Sequence, residues 1–272
     1  MFDILRLFVY GLISGLSETL PVSSRGHQSV LMQLFGMSHR DPVLDLLVHL
    51  SILACVVFCC REEVFRYTHS FSLRGRKMIS KQAAYDTRLL RTATLPVIVG
   101  TFFFALGTKY EVAPLNLVFF MIINGVILIV PDYVRQSNKN ASQITFIDSF
   151  LIGLTGLVNI FPGISRVAAG TSYALLRGTD KQNAYNWLLL LTVPSLAVLI
   201  IVDIIGLFTL GLTGITIWLF IGYLLAIAAA FVGSYIGISL MRFLAVNSGF
   251  SVFGYYSLGL AAFTFIIYLI AF

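Results

Sequence analysis

Apolar runs of about 20 residues, long enough to cross a hydrocarbon core, recur from the first ten residues of this chain to the last. The sequence is 58% hydrophobic and only 11% charged, far from the roughly half apolar and quarter charged of a soluble domain. These runs predict an all-α polytopic membrane protein, folded as a single membrane domain over residues 1–272. The net charge of +6 does not point to nucleic acid, because eight of the eighteen Lys and Arg fall within residues 61–91. Such a cluster marks a cytoplasmic loop and reads as a topology signal in preference to an anionic-lipid site. Cys55, Cys59 and Cys60 sit at one end of an apolar run without metal-type spacing and read as packing residues. Arg6 inside the first apolar run, with no small-residue cleavage pattern after it, predicts that this segment stays in the fold.

Not every run is long enough to span. The first, residues 4–20, carries Tyr10, Ser14 and Glu18 on one helical face and should end at Pro21, which lacks an N–H and restricts its predecessor. A short run at 26–35 follows. Two short apolar halves broken by Pro and Gly predict a re-entrant hairpin, whose irregular backbone is tolerated only against protein or water. Spans follow at 43–60, 89–106 and 115–130. In them, Asp45 and His49 lie one turn apart as a structural pair, Pro96 predicts a kink, and Asn124 and Gly125 suggest close helix contact. The second half repeats the plan: 147–160, a break at Phe161, Pro162 and Gly163, a short run at 167–176, then spans at about 183–204, 215–241 and 250–272. Asp203, near a helix end, reads as an interface residue.

The two breaks are written alike. Gly15-Leu16-Ser17-Glu18-Thr19-Leu20-Pro21-Val22-Ser23-Ser24-Arg25 aligns without gaps on Gly156-Leu157-Val158-Asn159-Ile160-Phe161-Pro162-Gly163-Ile164-Ser165-Arg166, with Gly, Leu, Pro, Ser and Arg in register and Glu18 against Asn159. This is an internal repeat, about 1–135 and 145–272. Each half holds one hairpin and three crossings, and an odd number of crossings inverts the second half. Inversion brings the two breaks together near the midplane, with broken-helix N-termini turned toward an anion.

Together the breaks hold Glu18, Ser23, Ser24, Arg25, His27, Ser165 and Arg166, a set suited to phosphate. Guanidiniums hold phosphoryl oxygens bidentately, hydroxyls add donors, and a carboxylate or imidazole activates a nucleophile. Within a membrane the ligand should be an amphiphile with a phosphorylated head. Duller roles exist: Ser23 and Ser24 as helix caps, His27 bonded to a carbonyl, and both arginines snorkelling to an interface.

The residues resemble the undecaprenyl-diphosphate phosphatases, the bacitracin-resistance family. Ser14-Gly15-Leu16-Ser17-Glu18-Thr19-Leu20-Pro21-Val22-Ser23-Ser24-Arg25-Gly26-His27 is similar to the family's Glu-Gly-x-x-Glu-x-x-Pro-(Val/Ile)-Ser-Ser-x-(Gly/Ala)-His, and Pro162-Gly163-Ile164-Ser165-Arg166 to its Pro-Gly-x-Ser-Arg. The stretches around His49 and from Leu188 to Pro194 match more weakly. The resemblance implies removal of the terminal phosphate from an isoprenoid lipid diphosphate, on the outer side of the bacterial cytoplasmic membrane, with a divalent cation such as Mg or Ca. It implies Glu18 and His27 as acid/base groups, with Glu18 also a metal ligand. Ser24 would be a hydroxyl at the phosphate or the nucleophile, Arg166 a catalytic phosphate binder and Ser165 a substrate contact; the chain's own residues add Ser23, Arg25 and Thr171 as expected substrate contacts. Membrane lipids are the other expected partners, nucleic acid is not, and a homodimer is left open.

Three positions depart from the family: Ser14 replaces its first glutamate, Val167 replaces a serine, and Gly170 stands where a threonine is usual, with Thr171 one place late. Arg25 then offers a positive charge in place of the cation. The alternatives to a phosphatase are a polyprenyl-phosphate carrier or flippase and a catalytically silent relative.

Overall fold

A chain this apolar has no internal aqueous reference, so its helices associate through close backbone approach and buried polar contacts. The computed structural model describes residues 2–37, 41–77, 80–107, 113–134, 139, 141–210 and 216–271. Twelve α-helices form among the described residues: α1 (Phe2–Thr19), α2 (Ser24–Phe35), α3 (Pro42–Cys59), α4 (Arg61–His69), α5 (Leu73–Lys77), α6 (Lys81–Gly107), α7 (Pro114–Ile129), α8 (Phe146–Leu154), α9 (Arg166–Leu176), α10 (Lys181–Leu210), α11 (Ile217–Asn247) and α12 (Ser251–Ala271). Helices α3, α6, α7, α10, α11 and α12 contain the six segments long and apolar enough to cross a membrane. The chain is a multi-pass membrane protein.

Local sequence explains where these helices begin. Asp41 caps α3 by accepting from Val43 and Leu44 N–H, with Pro42 in the first turn. Thr145 and Asp148 form a reciprocal capping box at α8. The basic segment is not a loop: residues 61–69, 73–77 and the start of α6 are helical. Helix α6 begins well before the apolar run that predicted it. Pro96 lies inside α6 and Pro194 inside α10, and both helices continue through them.

The packing exchanges partners between the halves. Helix α1 lies along α11, whereas α8 and the 3-10 turn after it, Thr155–Ile160, lie along α6. Helix α3 packs on α10 and α11, α10 on α6, and α7 on α12. Gly15 shows how close the α1 contact is: a Cβ there would stand 2.2 Å from the Ala230 carbonyl oxygen, and one at Gly11 2.3 Å from that of Ala226. The expected closeness at Gly125 also holds, since a Cβ would reach 2.9 Å from the Gly254 carbonyl oxygen of α12.

The expected Asp45 and His49 pair is a correction. Asp45 accepts from the Tyr10 hydroxyl of α1 at 2.6 Å, and His49 Nδ1 meets Asp203 Oδ2 of α10 at 2.6 Å. The i,i+4 spacing is right, but each side chain reaches across an interhelical seam instead. Asp203 is therefore a largely buried ionic partner rather than a plain interface residue. Cys55 and Cys60 are buried and Cys59 partly so, all with free thiols.

Candidate active site

Helix α1 ends in the turn before Pro21, and the chain restarts as α2 with Ser23 as its cap. The Ser23 hydroxyl oxygen accepts from Gly26 N–H at 3.2 Å and from Gly163 N–H at 3.1 Å, so it serves both breaks at once. The second break follows the 3-10 turn and passes through Gly163 at φ +114°, a region that L side chains rarely adopt. Ser165 then caps α9 by accepting from Ala168 N–H at 3.3 Å.

Where the breaks meet they form a small polar cleft, lined by Ser17, Glu18, Val22, Ser24, Asn159, Ser165, Arg166 and Val167. Its cavity volume is about 10 Å³, room for about one water molecule, so a phosphoryl head group has to widen it and a lipid tail has no place in it. The Ser24 hydroxyl donates to Glu18 Oε2 at 2.6 Å. Arg166 Nη2 stands 3.7 Å from Glu18 Oε1 and donates to Thr192 Oγ1 at 3.1 Å. Arg166 is only 2% exposed, and its Nε and Nη1 are buried with no hydrogen-bond partner. A buried guanidinium with unmet donors is costly unless something accepts from it. The geometry thus couples a hydroxyl to a base, and sets beside them a cation with donors to spare.

The sequence set is split. Glu18, Ser24, Ser165 and Arg166 share the cleft, while Ser23, Arg25, His27 and Thr171 do not line it. The reason for Arg25 lies in the caps. The repeat aligns Ser24 with Ser165, but the cap of α2 is Ser23 and that of α9 is Ser165. Helix α2 therefore starts one residue early relative to the repeat, and Arg25 is turned about 100° from the position that Arg166 holds. Its guanidinium lies over the Phe104 ring, 5.3 Å from the centroid. His27 Nδ1 is 2.8 Å from the Ser23 carbonyl oxygen, which only accepts, so this nitrogen carries the proton and Nε2 accepts from Tyr256 at 2.7 Å. The Thr171 hydroxyl is buried without a partner. At Gly170 a Cβ would lie 2.4 Å from Leu188 Cδ1 and 2.9 Å from Thr155 Oγ1: the room a family threonine would need is filled.

Several of the N–H groups expected to turn toward an anion are engaged by side chains instead. Gly26 N–H is engaged by Ser23, Ser165 N–H by Asn124 Oδ1 at 2.9 Å, Arg166 N–H by Asn159 Oδ1 at 3.0 Å, and Ala168 N–H by Ser165. Side chains have capped these donors, leaving the guanidinium and hydroxyls to face the cleft.

Sequence reasoning missed Thr192, Asn159 as a cap, and Tyr256, and read Asn124 only as a helix contact. Asn159 had a signal, since it aligns with Glu18. Thr192 lies in the stretch from Leu188 to Pro194 that matched weakly. Tyr256 has no local signal, because its partner is 229 residues away.

The residues do not fit a cation bound between two carboxylates. Ser14 stands at the first carboxylate position, and its hydroxyl oxygen accepts from Gln28 Nε2 at 3.1 Å. Glu18 is already engaged by Ser24 and Arg166. Among the described residues no group of three His, Cys, Asp or Glu side chains is placed to hold a metal ion.

The chain is similar to known proteins over most of its length. The chain is 30% identical over 214 residues to the "Undecaprenyl-diphosphatase" of Prochlorococcus marinus (strain MIT 9312), covering 76% of this chain and 78% of that protein. It is 30% identical over 259 residues to "Undecaprenyl-diphosphatase 3" of Bacillus cereus (strain ATCC 10987 / NRS 248), covering 94% of each. The "Undecaprenyl-diphosphatase" of Methanococcus vannielii is 26% identical over 246 residues, 90% of this chain and 93% of the other. The family model described as "Bacitracin resistance protein BacA" matches residues 7–263, and the chain belongs to that family.

Proposed function

We propose that this protein hydrolyses undecaprenyl diphosphate to the monophosphate, returning the lipid carrier to cell-envelope synthesis. The observation that carries the reading is the 2.6 Å bond from Ser24 to Glu18 beside an Arg166 guanidinium with two unpartnered nitrogens. A nucleophile within hydrogen-bond reach of its base, next to a cation for phosphoryl oxygens, is the geometry that phosphoryl transfer requires.

In this reading the terminal phosphoryl group takes the unmet donors of Arg166, with the Ser165 hydroxyl adding a hydrogen bond. Ser24 Oγ forms a bond to the terminal phosphorus while the bond from that phosphorus to the bridging oxygen breaks. The Ser24 proton passes to Glu18, and the lipid monophosphate leaves. Water then attacks the phosphoserine; Glu18 returns its proton to the departing Ser24 oxygen, and phosphate carries away the protons of the water. No step is routed through a metal ion. His27 holds the first break through Ser23 rather than touching the reacting atoms.

The same proposal places the two repeats in inverted orientation in the cytoplasmic membrane, with the hairpins re-entrant and the site open to the outer side. It is supported by the odd number of candidate spans in each half and by the exchange of packing partners, α1 on α11 against α8 on α6.

Phosphate release from undecaprenyl diphosphate by the purified protein is the test. Wild type should release phosphate, and Glu18→Gln and Ser24→Ala should each slow release by about 100-fold or more, the scale of a lost general base. Release that survives Glu18→Gln overturns the mechanism. No release from wild type, with lipid binding intact, favours the carrier reading.

A further inference from the structure

The cleft exists only because two chain breaks, more than a hundred residues apart, are held at a fixed separation, and a single buried side chain does much of the holding. Asn124 of α7 is 1% exposed. Its Nδ2 donates to the Pro21 carbonyl oxygen of the first break at 3.3 Å and to Ser257 Oγ of α12 at 2.9 Å. Its Oδ1 accepts from Ser165 N–H of the second break at 2.9 Å. Only one orientation of the carboxamide serves all three, since the Pro21 oxygen cannot donate and the Ser165 nitrogen cannot accept. Ser165 is the residue before Arg166, and Pro21 lies between Glu18 and Ser24. The carboxamide therefore spans from the backbone that carries the base and nucleophile to the backbone that carries the phosphoryl-binding cation.

We propose that Asn124 is a positioning residue for the phosphatase reaction, setting the distance between Ser24 with Glu18 on one break and Arg166 on the other. The inference rests on the phosphatase reading for its kinetic consequence, but not for its geometric one. Near-attack geometry is steep: a displacement of about 1 Å costs on the order of 100-fold in rate. Among the described residues, Gly163 N–H to Ser23 Oγ also joins the breaks but lies at the turn, and the Arg166–Glu18 ion pair at 3.7 Å is itself the separation that has to be set. Losing Asn124 removes the bond that ties the backbone just before Arg166 to the first break. In the phosphatase reading the lipid tail lies outside this small cleft, so loss of registration acts on kcat more than on KM.

Three variants and two measurements test this. In the folded, monodisperse fraction, Asn124→Leu should lower kcat by about 100-fold, with KM for undecaprenyl diphosphate changed less than about threefold. Asn124→Asp keeps the oxygen that accepts from Ser165, and when protonated it has one O–H to donate to Pro21. Its kcat should therefore recover as pH falls, relative to a wild-type profile taken in parallel. Ser257→Ala removes only the bond to α12 and should keep kcat within about threefold. Spin labels at Leu34 and Leu176, the exposed ends of α2 and α9, report the separation directly in a background without native cysteines. Asn124→Leu should broaden or shift that distance distribution, and Ser257→Ala should not. Wild-type kcat in Asn124→Leu, an equal loss in Asn124→Asp at every pH, or an unchanged distance distribution overturns the proposal. If the wild type releases no phosphate, the phosphatase reading has failed, and the distance measurement alone decides whether Asn124 holds the breaks.

Discussion

Arg166 and Arg25 occupy equivalent places in the repeat, yet only Arg166 meets Glu18, because the caps differ by one residue. The two should therefore respond differently to the same change. Arg166→Lys replaces a planar fork by a point charge and should weaken phosphoryl binding by about 2 kcal/mol, read as a rise of roughly 30-fold in KM or in the phosphate inhibition constant. Arg25→Lys should leave both within about threefold, since its neighbour is the Phe104 ring and not the cleft. Gly170 gives a second contrast. Restoring the family threonine there sets a Cβ against Leu188 and Thr155, and overpacking of this kind costs about 1–3 kcal/mol. A lower melting temperature for Gly170→Thr checks it, and the double variant with Leu188→Ala should recover part of the loss. At this scale the sequence was legible where a polar residue had no apolar excuse: Glu18 stood out against hydrocarbon, and Ser24, Ser165 and Arg166 did so and also recurred in the repeat. It was illegible where the meaning depends on a partner in another helix. Nothing local to His49 distinguishes Asp45 from Asp203, and nothing in the repeat alignment shows that Ser23 rather than Ser24 caps α2.

Among the elements, α1 is the one whose packing bears most directly on the site, because the helix that carries Glu18 is seated by bare glycine faces. Without water to drive helices together, association in a bilayer relies on such close contact. Gly15→Leu should force α1 away from α11, where a Cβ already meets the Ala230 carbonyl at 2.2 Å, and move Glu18 with it. Loss of phosphate release together with a lower melting temperature is expected. The outcome to look for against it is full activity with an unchanged melting curve. Helix positions were predictable from apolar periodicity and from Pro and Gly, so the breaks at Pro21 and Pro162 were found. The extent of α6 was not, because its first turns are charged and project from the apolar run. Nor was the seam between α1 and α11: small residues spaced by four in each helix are visible, but which helix pairs with which is a property of the assembled bundle.

Across the whole molecule, an inverted pair of repeats places the tips of α2 and α9 on opposite faces of the membrane. Single cysteines at Met37 and Arg177, in a background without native cysteines, should label with an impermeant reagent from opposite sides. Labelling of both from one side would end the inverted reading. The exchange of packing partners also bears on how the protein is made. During synthesis α1 leaves the ribosome first, but the surface that receives its glycine face is on α11, more than two hundred residues later. Until then α1, which carries Arg6 and Glu18, lacks the helix it packs against. A nascent chain arrested after α7 should accordingly stay protease-sensitive and bound to the insertion machinery. Supplying residues 145–272 as a separate polypeptide should release it, because each fragment carries the cradle for the other's hairpin. Each half thus supplies the surface on which the other's first helix packs, and neither should fold when expressed alone.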